Sequence, residues 1–217
     1  MIIYYFNDFE VLGEAEIEQM LPCMPFQQQE AMAGTKLLSR RREIAVSYLM
    51  LAHAIGSDRA EIESDGLSIR EFQLAGVPSD WQPTLNFTFG EHGKPYLSDR
   101  EGVYFNISHC KEAIAVGVSD REIGIDIEGR RRYSGTLLQR VFADEEQESI
   151  RQNAEPEMEF ARLWTRKEAF FKWTGTGILL NHIKSVEQDA EKAGCTITTQ
   201  LVTPAGGGRP FFLSIAC

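Results

Sequence analysis

The sequence predicts an α+β fold built from two similar halves. Three observations carry this. Short runs of β-formers alternate apolar and polar residues and are bounded by turn residues. Longer stretches keep apolar residues at helical spacing. The order strand, helix, strands also recurs twice, with the halves meeting near residue 120.

Taken in order, residues 2–6 (Ile-Ile-Tyr-Tyr-Phe) read as a first strand. They are apolar but short, lack a basic start and soon meet Asp8 and Glu10, which is unlike a signal peptide. A helix is expected to begin near Pro25 or later and run through Arg40–Ile55, where Ile44, Tyr48, Leu51, Ala52 and Ile55 keep helical spacing, and to end at Gly56-Ser57-Asp58. Pro78-Ser79-Asp80 reads as a turn. Leu85–Phe89 alternates like a strand and is followed by a turn at Gly90-Glu91-His92-Gly93. Strands are expected at Val103–Ser108 and Ala113–Ser119, then around Asp126. Helices are expected at 134–142, 144–152 and 156–174; the acids at Asp144-Glu145-Glu146 suit a helix start. Strands at 195–202 and 210–216 close the chain around Gly206-Gly207-Gly208.

Composition excludes several classes. The chain has 217 residues and a formal net charge of −10, which argues against general nucleic-acid binding. The charge is uneven: residues 1–120 hold 9 Lys and Arg against 18 Asp and Glu, while residues 121–217 hold 13 against 14. An anionic ligand therefore needs local cations, and Arg40-Arg41-Arg42 and Arg130-Arg131-Arg132 are the visible clusters. No apolar run reaches the about 20 residues of a membrane span. Cys23, Cys110, Cys195 and Cys217 form no CxxC pair and suggest reduced thiols in a cytoplasmic protein.

Two stretches hold the chemistry. In Gly124-Ile125-Asp126-Ile127-Glu128, strand alternation turns Asp126 and Glu128 to one face and the two isoleucines to the other. Two carboxylates so placed repel one another unless a cation lies between them, and such oxygens suit Mg²⁺. The five residues alone would equally serve as a solvated strand face. In Trp164-Thr165-Arg166-Lys167-Glu168-Ala169-Phe170-Phe171-Lys172, Glu168 and Lys172 stand one helical turn apart, which is either a surface ion pair or part of a site. Lys167 falls inside the apolar arc, so it must snorkel out or be held by an anion. Gly93-Lys94-Pro95 follows a turn and is no P-loop. In Phe105-Asn106-Ile107-Ser108-His109, Asn106 and Ser108 share a face while His109 points away. No G-x-S-x-G or H-E-x-x-H pattern is present.

Gly-Lys-Pro, Asn-Ile-Ser-His, Gly-Ile-Asp-Ile-Glu and Trp-Thr-Arg-Lys-Glu-Ala with Lys172 beyond, in this order, resemble the 4′-phosphopantetheinyl transferases of the broad-specificity Sfp type. The likeness covers about residues 85–180, and Phe142-Ala143-Asp144-Glu145-Glu146 is similar to an acidic segment of that family. It departs at Ser47-Tyr48, where many members carry Gly-Arg. The resemblance implies two α/β subdomains, 1–120 on the coenzyme A adenosine-phosphate side and 121–217 with the metal strand and the Glu/Lys helix. They would form a pseudo-dimer with the active site between them. It implies Mg²⁺-dependent transfer of the phosphopantetheine arm from coenzyme A to a serine of an acyl, peptidyl or polyketide carrier protein. Asp126, Glu128 and Glu168 would hold the metal, with Glu168 as base, directly or through a metal-bound water, and Glu128 or a water as the alternative. Lys172 would stand against the pyrophosphate, and Lys167 would do likewise. Lys94, Pro95, Ser108 and His109, with Arg41 and Arg42, would bind coenzyme A. Trp164 would pack to fix its helix. A monomer is expected, with no nucleic-acid or membrane partner. Carriers are usually acidic, so docking would fall to the less acidic second half. The competing readings are another Mg²⁺-dependent phosphotransferase or nuclease, and an inactive carrier-binding module.

Overall fold

The computed structural model describes residues 1–9, 12–56, 62, 66–74, 85–179 and 182–217. The chain forms a mixed α/β structure. In order, the elements are β1 (Ile2–Phe6), α1 (Glu14–Met20), α2 (Phe26–Ala33), α3 (Leu38–Ile55), β2 (Ser68–Glu71), β3 (Phe87–Phe89), β4 (Pro95–Leu97), β5 (Tyr104–His109), β6 (Ile114–Ser119), β7 (Gly124–Glu128), α4 (Gly135–Val141), α5 (Asp144–Gln152), α6 (Pro156–Thr174), α7 (Val186–Ala193), β8 (Ile197–Val202) and β9 (Phe211–Ala216).

Two sheets carry the core. One runs β2-β1-β6-β5, with β1 and β2 parallel and the other pairs antiparallel. The other runs β7-β9-β8 and is antiparallel throughout. In each, the first strand in the chain pairs with the last of its set and that one with the middle strand, and a long helix (α3 or α6) lies between the first and second strands in sequence.

Strand alternation explains the layering. Ile2, Tyr4 and Phe6 of β1 face the first helices, where Val46, Leu49 and Met50 of α3 meet them. Ile3 and Tyr5 face the other way, against Ile125 and Ile127 of β7 and Leu213 and Ile215 of β9. The inner faces of the two sheets thus pack on one another, and β1 is buried on both sides. The far side of the second sheet is covered by α4–α7 through Phe160, Trp164, Phe170 and Ile183.

The expected helix from Pro25 to Ile55 is two helices. α2 ends at Gly34, and α3 restarts at Leu38. Gly56 caps α3 as expected; Ser57, Asp58 and the Pro78 turn lie outside the described residues. The turn at 90–93 closes the β3–β4 hairpin, with Phe87 opposite Leu97. α1, β2, β4 and α7 were not expected. The helices after β7 fall close to the sequence reading, and α6 starts with Pro at its first position and ends on Gly175 at φ 69.

One glycine sets the distance between α6 and β7. A Cβ at Gly124 would lie 2.1 Å from the Ala169 carbonyl oxygen and 2.3 Å from the Trp173 nitrogen, both backbone atoms that cannot step aside. Gly124→Ala should therefore force helix and strand apart at a cost of about 1–3 kcal/mol. Thermal unfolding should show a melting temperature lower by about 2–4 °C per kcal/mol; an unchanged value would contradict the close approach.

Candidate active site

β7 and α6 assemble the site. Ile125 and Ile127 are buried in the inter-sheet core, so Asp126 and Glu128 face the opposite way, toward α6. Because α6 lies close over Gly124, its Glu168 and Lys172 are brought to that same face. The Lys172 ammonium donates to Asp126 Oδ1 at 2.7 Å and to Ser108 Oγ at 2.9 Å. Arg131 Nη1 donates to Glu128 Oε2 at 2.6 Å, and its guanidinium lies 4.6 Å from the centre of the Trp164 ring. Each strand carboxylate thus has a resident cation. Trp164 packs as expected and also supports Arg131, a residue that sequence reasoning placed only in a basic cluster.

Glu168 is different. It makes no hydrogen bond or ion pair among the described residues. Burial, and next the nearby charge of Asp126, push its carboxyl up to about 7. Lys172 and Arg131 oppose that rise without cancelling it. Glu128 is raised as well, mainly by burial, with Arg131 pulling the other way. The face is a set of three carboxylates that repel one another, with two cations close by.

Several expected contacts lie elsewhere. Lys94 is buried, and its ammonium donates to Glu122 at 2.7 Å, the Ile123 carbonyl at 3.2 Å and the Trp173 carbonyl at 3.0 Å. All three hydrogens are taken, and the lysine braces the C-terminal end of α6, where a positive charge is favourable. Arg41 reaches Glu14 at 2.8 Å and also bonds Glu18, while Arg42 donates to the Leu12 carbonyl at 2.5 Å. Both arginines tie α1 and the segment before it to α3, away from His109. The arginine that shares a groove with His109 is Arg40: the groove has a volume of ≈ 400 Å³ and also contains Glu43, Tyr48, Phe87 and Phe89. His109 Nε2 lies 3.6 Å from Glu43 there. Pro95 lines a second cleft of ≈ 300 Å³ together with Asn106, Glu168, Lys172 and Ile178. Lys167 is held by an anion, but a protein one: Glu146 at 2.9 Å, with the Ile183 carbonyl at 2.8 Å and the Phe142 ring beneath. It is 1% exposed and cannot meet a pyrophosphate. The other carboxylate oxygen of Glu146 accepts the Ala143 N–H at 2.8 Å and starts α5.

The donor chemistry fits a hard divalent cation, since three carboxylates lie on one face of β7 and α6. Among the described residues, however, no three His, Cys, Asp or Glu side chains converge as a metal-holding group. Asp126 and Glu128 are turned to Lys172 and Arg131 instead.

Comparison with known proteins bears on the segment that carries this face. Residues 122–205 match the family described as "4′-phosphopantetheinyl transferase superfamily". The chain is 27% identical over 203 residues to 4′-phosphopantetheinyl transferase psf-1 of Bacillus pumilus, covering 88% of this chain and 79% of that protein. It is 33% identical to 4′-phosphopantetheinyl transferase Sfp of Bacillus subtilis (strain 168) over 98 residues, 44% of each chain. It is 34% identical to 4′-phosphopantetheinyl transferase AcpT of Escherichia coli O157:H7 over 115 residues, 49% of this chain and 58% of that protein. The matches to Sfp and AcpT thus span about half the length of those relatives. The segment that carries β7 and α6 is thus similar to the 4′-phosphopantetheinyl transferase superfamily. No helix of the described residues is long and apolar enough to cross a membrane.

Two outcomes test the electrostatics. Glu168 has a folded-state value near 7 against an ordinary 4.5, so between those limits the folded protein binds more protons than the unfolded chain, and stability falls as pH rises through that window. In chelator, Glu168→Gln should therefore melt above the unsubstituted protein at pH 8, and the gain should shrink toward pH 4.5. A constant difference across that range would remove the assigned repulsion. Lys167→Ala leaves the half-buried Glu146 and the Ile183 carbonyl without their donor and should cost about 1–3 kcal/mol, seen as a drop in the denaturant midpoint.

Proposed function

We propose that this chain transfers the 4′-phosphopantetheine arm of coenzyme A to a serine hydroxyl of an acyl, peptidyl or polyketide carrier protein, releasing adenosine 3′,5′-bisphosphate, as an Sfp-type transferase. The observation that carries this reading is the meeting of Asp126, Glu128, Glu168 and Lys172 on one face of β7 and α6, within the segment that matches the superfamily. Curated relatives bear the name of this activity.

In the reaction, the carrier serine oxygen forms a bond to the β-phosphorus of the coenzyme. The bond from that phosphorus to the bridging oxygen breaks, and its electron pair leaves with the bisphosphate. The serine proton passes to Glu168, directly or through a water, as the carboxylate placed nearest the reacting end of the cleft. Lys172 is placed as a point charge for a diphosphate oxygen once it turns from Asp126. Asp126, Glu128 and Glu168 would hold Mg²⁺, which when bound neutralises diphosphate charge. The ≈ 400 Å³ groove with His109 and Arg40 suits the adenosine end, because an imidazole and a guanidinium there can meet the 3′-phosphate. Arg40 takes the part first given to Arg41 and Arg42. Pro95 borders the ≈ 300 Å³ cleft for the reacting end.

The shared topology of β1-β6-β5 with α3 and β7-β9-β8 with α6 supports two matched halves, 1–120 and 121–217, arranged as a pseudo-dimer about this cleft. Side chains from both halves line it, so one chain can complete the site, which favours a monomer; a cytoplasmic location without nucleic-acid or membrane partners belongs to the same proposal.

The test incubates the protein with coenzyme A, Mg²⁺ and a panel of apo carriers from fatty-acid, polyketide and peptide assembly. Intact-mass spectrometry should show one phosphopantetheine added at the carrier serine. Asp126→Ala should lose transfer while keeping its circular dichroism. No addition across the panel would count decisively against the proposal.

A further inference from the structure

A polar row runs through the mainly apolar contact between α6 and the second sheet. Asp126 of β7, Ser214 of β9 and Thr199 of β8 form one rung, each opposite the next. Leu213 and Ile215, on either side of Ser214, are buried between the two sheets, so the rung faces α6. Around it the contact is made by Phe160, Trp164, Phe170 and Ala216. Ser214 and Thr165 of α6 are both fully buried, and their hydroxyl oxygens lie 2.7 Å apart. On its other side Ser214 Oγ lies 2.8 Å from Thr199 Oγ1.

The two ends of the row fix the direction of its hydrogens. Arg166 Nη1 donates to Thr199 Oγ1 at 3.1 Å, and Thr165 Oγ1 donates to the Arg162 carbonyl at 2.9 Å. A hydroxyl has one hydrogen. Thr165 gives its own to Arg162, so Ser214 donates to Thr165, and Thr199 then donates to Ser214. The hydrogens all point one way, and the row leaves α6 at Arg166 and returns to it at Thr165. Its starting guanidinium is held by both carboxylate oxygens of Glu187 at 2.7 Å and by the Ile197 carbonyl at 3.1 Å.

Packing alone does not call for these hydroxyls, since apolar side chains of the same shape would fill the space. What they add is register: a slide of α6 along the sheet would leave both buried hydroxyls without partners. Thr165, Glu168 and Lys172 stand at i, i+3 and i+7, on one stripe of α6. Lys172 is tied to Asp126, and Thr165 to the neighbour of Asp126 in the rung. Glu168 lies between these two ties with no hydrogen bond or ion pair of its own among the described residues, so the helix sets its place. We infer that Thr165 and Ser214 are positioning residues, whose hydroxyl pair sets the register of α6 on the second sheet and with it the placement of Glu168 against Asp126. The consequence for rate rests on the transferase reading above.

Thr165→Val combined with Ser214→Ala removes both hydroxyls at once, and the half-buried Thr199 can turn to water. The double variant should melt within about 4 °C of the unsubstituted protein. With the full chain, kcat toward an apo carrier should fall by about tenfold or more, because a small misplacement of a reacting group is felt in the bond-making step. The coenzyme A dissociation constant, measured by calorimetry with Mg²⁺, should stay within about twofold. Thr165→Ser keeps the hydroxyl and should keep kcat within about twofold as well. An unchanged kcat in the double variant would overturn the inference, as would a weakened dissociation constant with kcat preserved. A melting temperature far below the stated range would make the pair a packing feature and overturn it too.

A second measurement stands apart from activity. In chelator at pH 8, Glu168→Gln relieves the repulsion from Asp126 and should raise stability. If the hydroxyl pair holds the two carboxylates together, that gain should shrink by about half or more in the Thr165→Val, Ser214→Ala background, read by equilibrium unfolding. An equal gain in both backgrounds would mean that Glu168 keeps its place without the hydroxyls, and the inference would fall even in a fully active protein. A reduced gain in a protein inactive on every carrier would sink the transferase reading alone.

Discussion

The packing of the two inner sheet faces is the contact on which the rest depends. Ile3 and Tyr5 of β1 meet Ile125, Ile127, Leu213 and Ile215 across a dry interface. Burial of this kind contributes about 25 cal/mol per Å² of apolar surface removed from water. It also fixes the rotation of β7. With the isoleucines held inward, a period of two leaves Asp126 and Glu128 only the opposite face, where α6 lies. A register slip of one residue would exchange these sets and put carboxylates into the core. The acidic face is therefore a by-product of the same alternation that closes the inter-sheet core.

Holding that face together costs electrostatic energy, and the structure shows how the cost is contained. Lys172 sits on Asp126 and Arg131 on Glu128, while Glu168 has no such partner and carries the raised affinity for protons. Arg131 is itself steadied by the Trp164 ring. Both cations come from positions that a ligand can reach: Lys172 lines the ≈ 300 Å³ cleft, and Arg131 is 35% exposed at its side chain. They are the counter-ions of the two strand carboxylates. By contrast, Lys167 is fully buried and reaches a half-buried Glu146, tying α6 to α5. Two lysines five residues apart on one helix thus serve opposite ends, one structural and one directed to a cleft.

What could be read from the sequence followed from strong periodicity. β7 and α6 were legible because alternation and helical spacing each specify a face, and so were the carboxylate pair and the Glu168–Lys172 step. Lys167 was legible as a problem, a cation inside an apolar arc, but its solution in Glu146 was a tertiary contact that spacing does not reveal. The break at Gly34 between α2 and α3 was missed because the apolar spacing counted for that helix lies only in 44–55. β4 was missed because its Pro-Tyr-Leu takes its pairing from the hairpin partner rather than from its own pattern. Lys94, Arg41 and Arg42 were read as ligand cations because charge in a sequence carries no direction. Their acceptors, the Trp173 carbonyl and the acids of α1, stand far away in the chain. Asn106 lay in plain view within the motif, yet nothing local says that its amide oxygen stands in for a backbone carbonyl on a strand of the other sheet.

That substitution bears on how the two sheets are joined. A continuous backbone ladder between β5 and β7 would merge the sheets and fix their angle by hydrogen bonds evenly spaced along the strands. Two side-chain acceptors, placed at alternate residues, satisfy the same N–H groups while letting the sheets keep separate orientations and pack face to face. The junction also gains what a ladder cannot supply. A backbone carbonyl has no hydrogen to give, whereas the Ser108 hydroxyl accepts from Ile127 and donates to Asp126 at once. The seam between the sheets and the acidic face thereby share a single oxygen atom, which touches Ile127, Asp126 and Lys172 together.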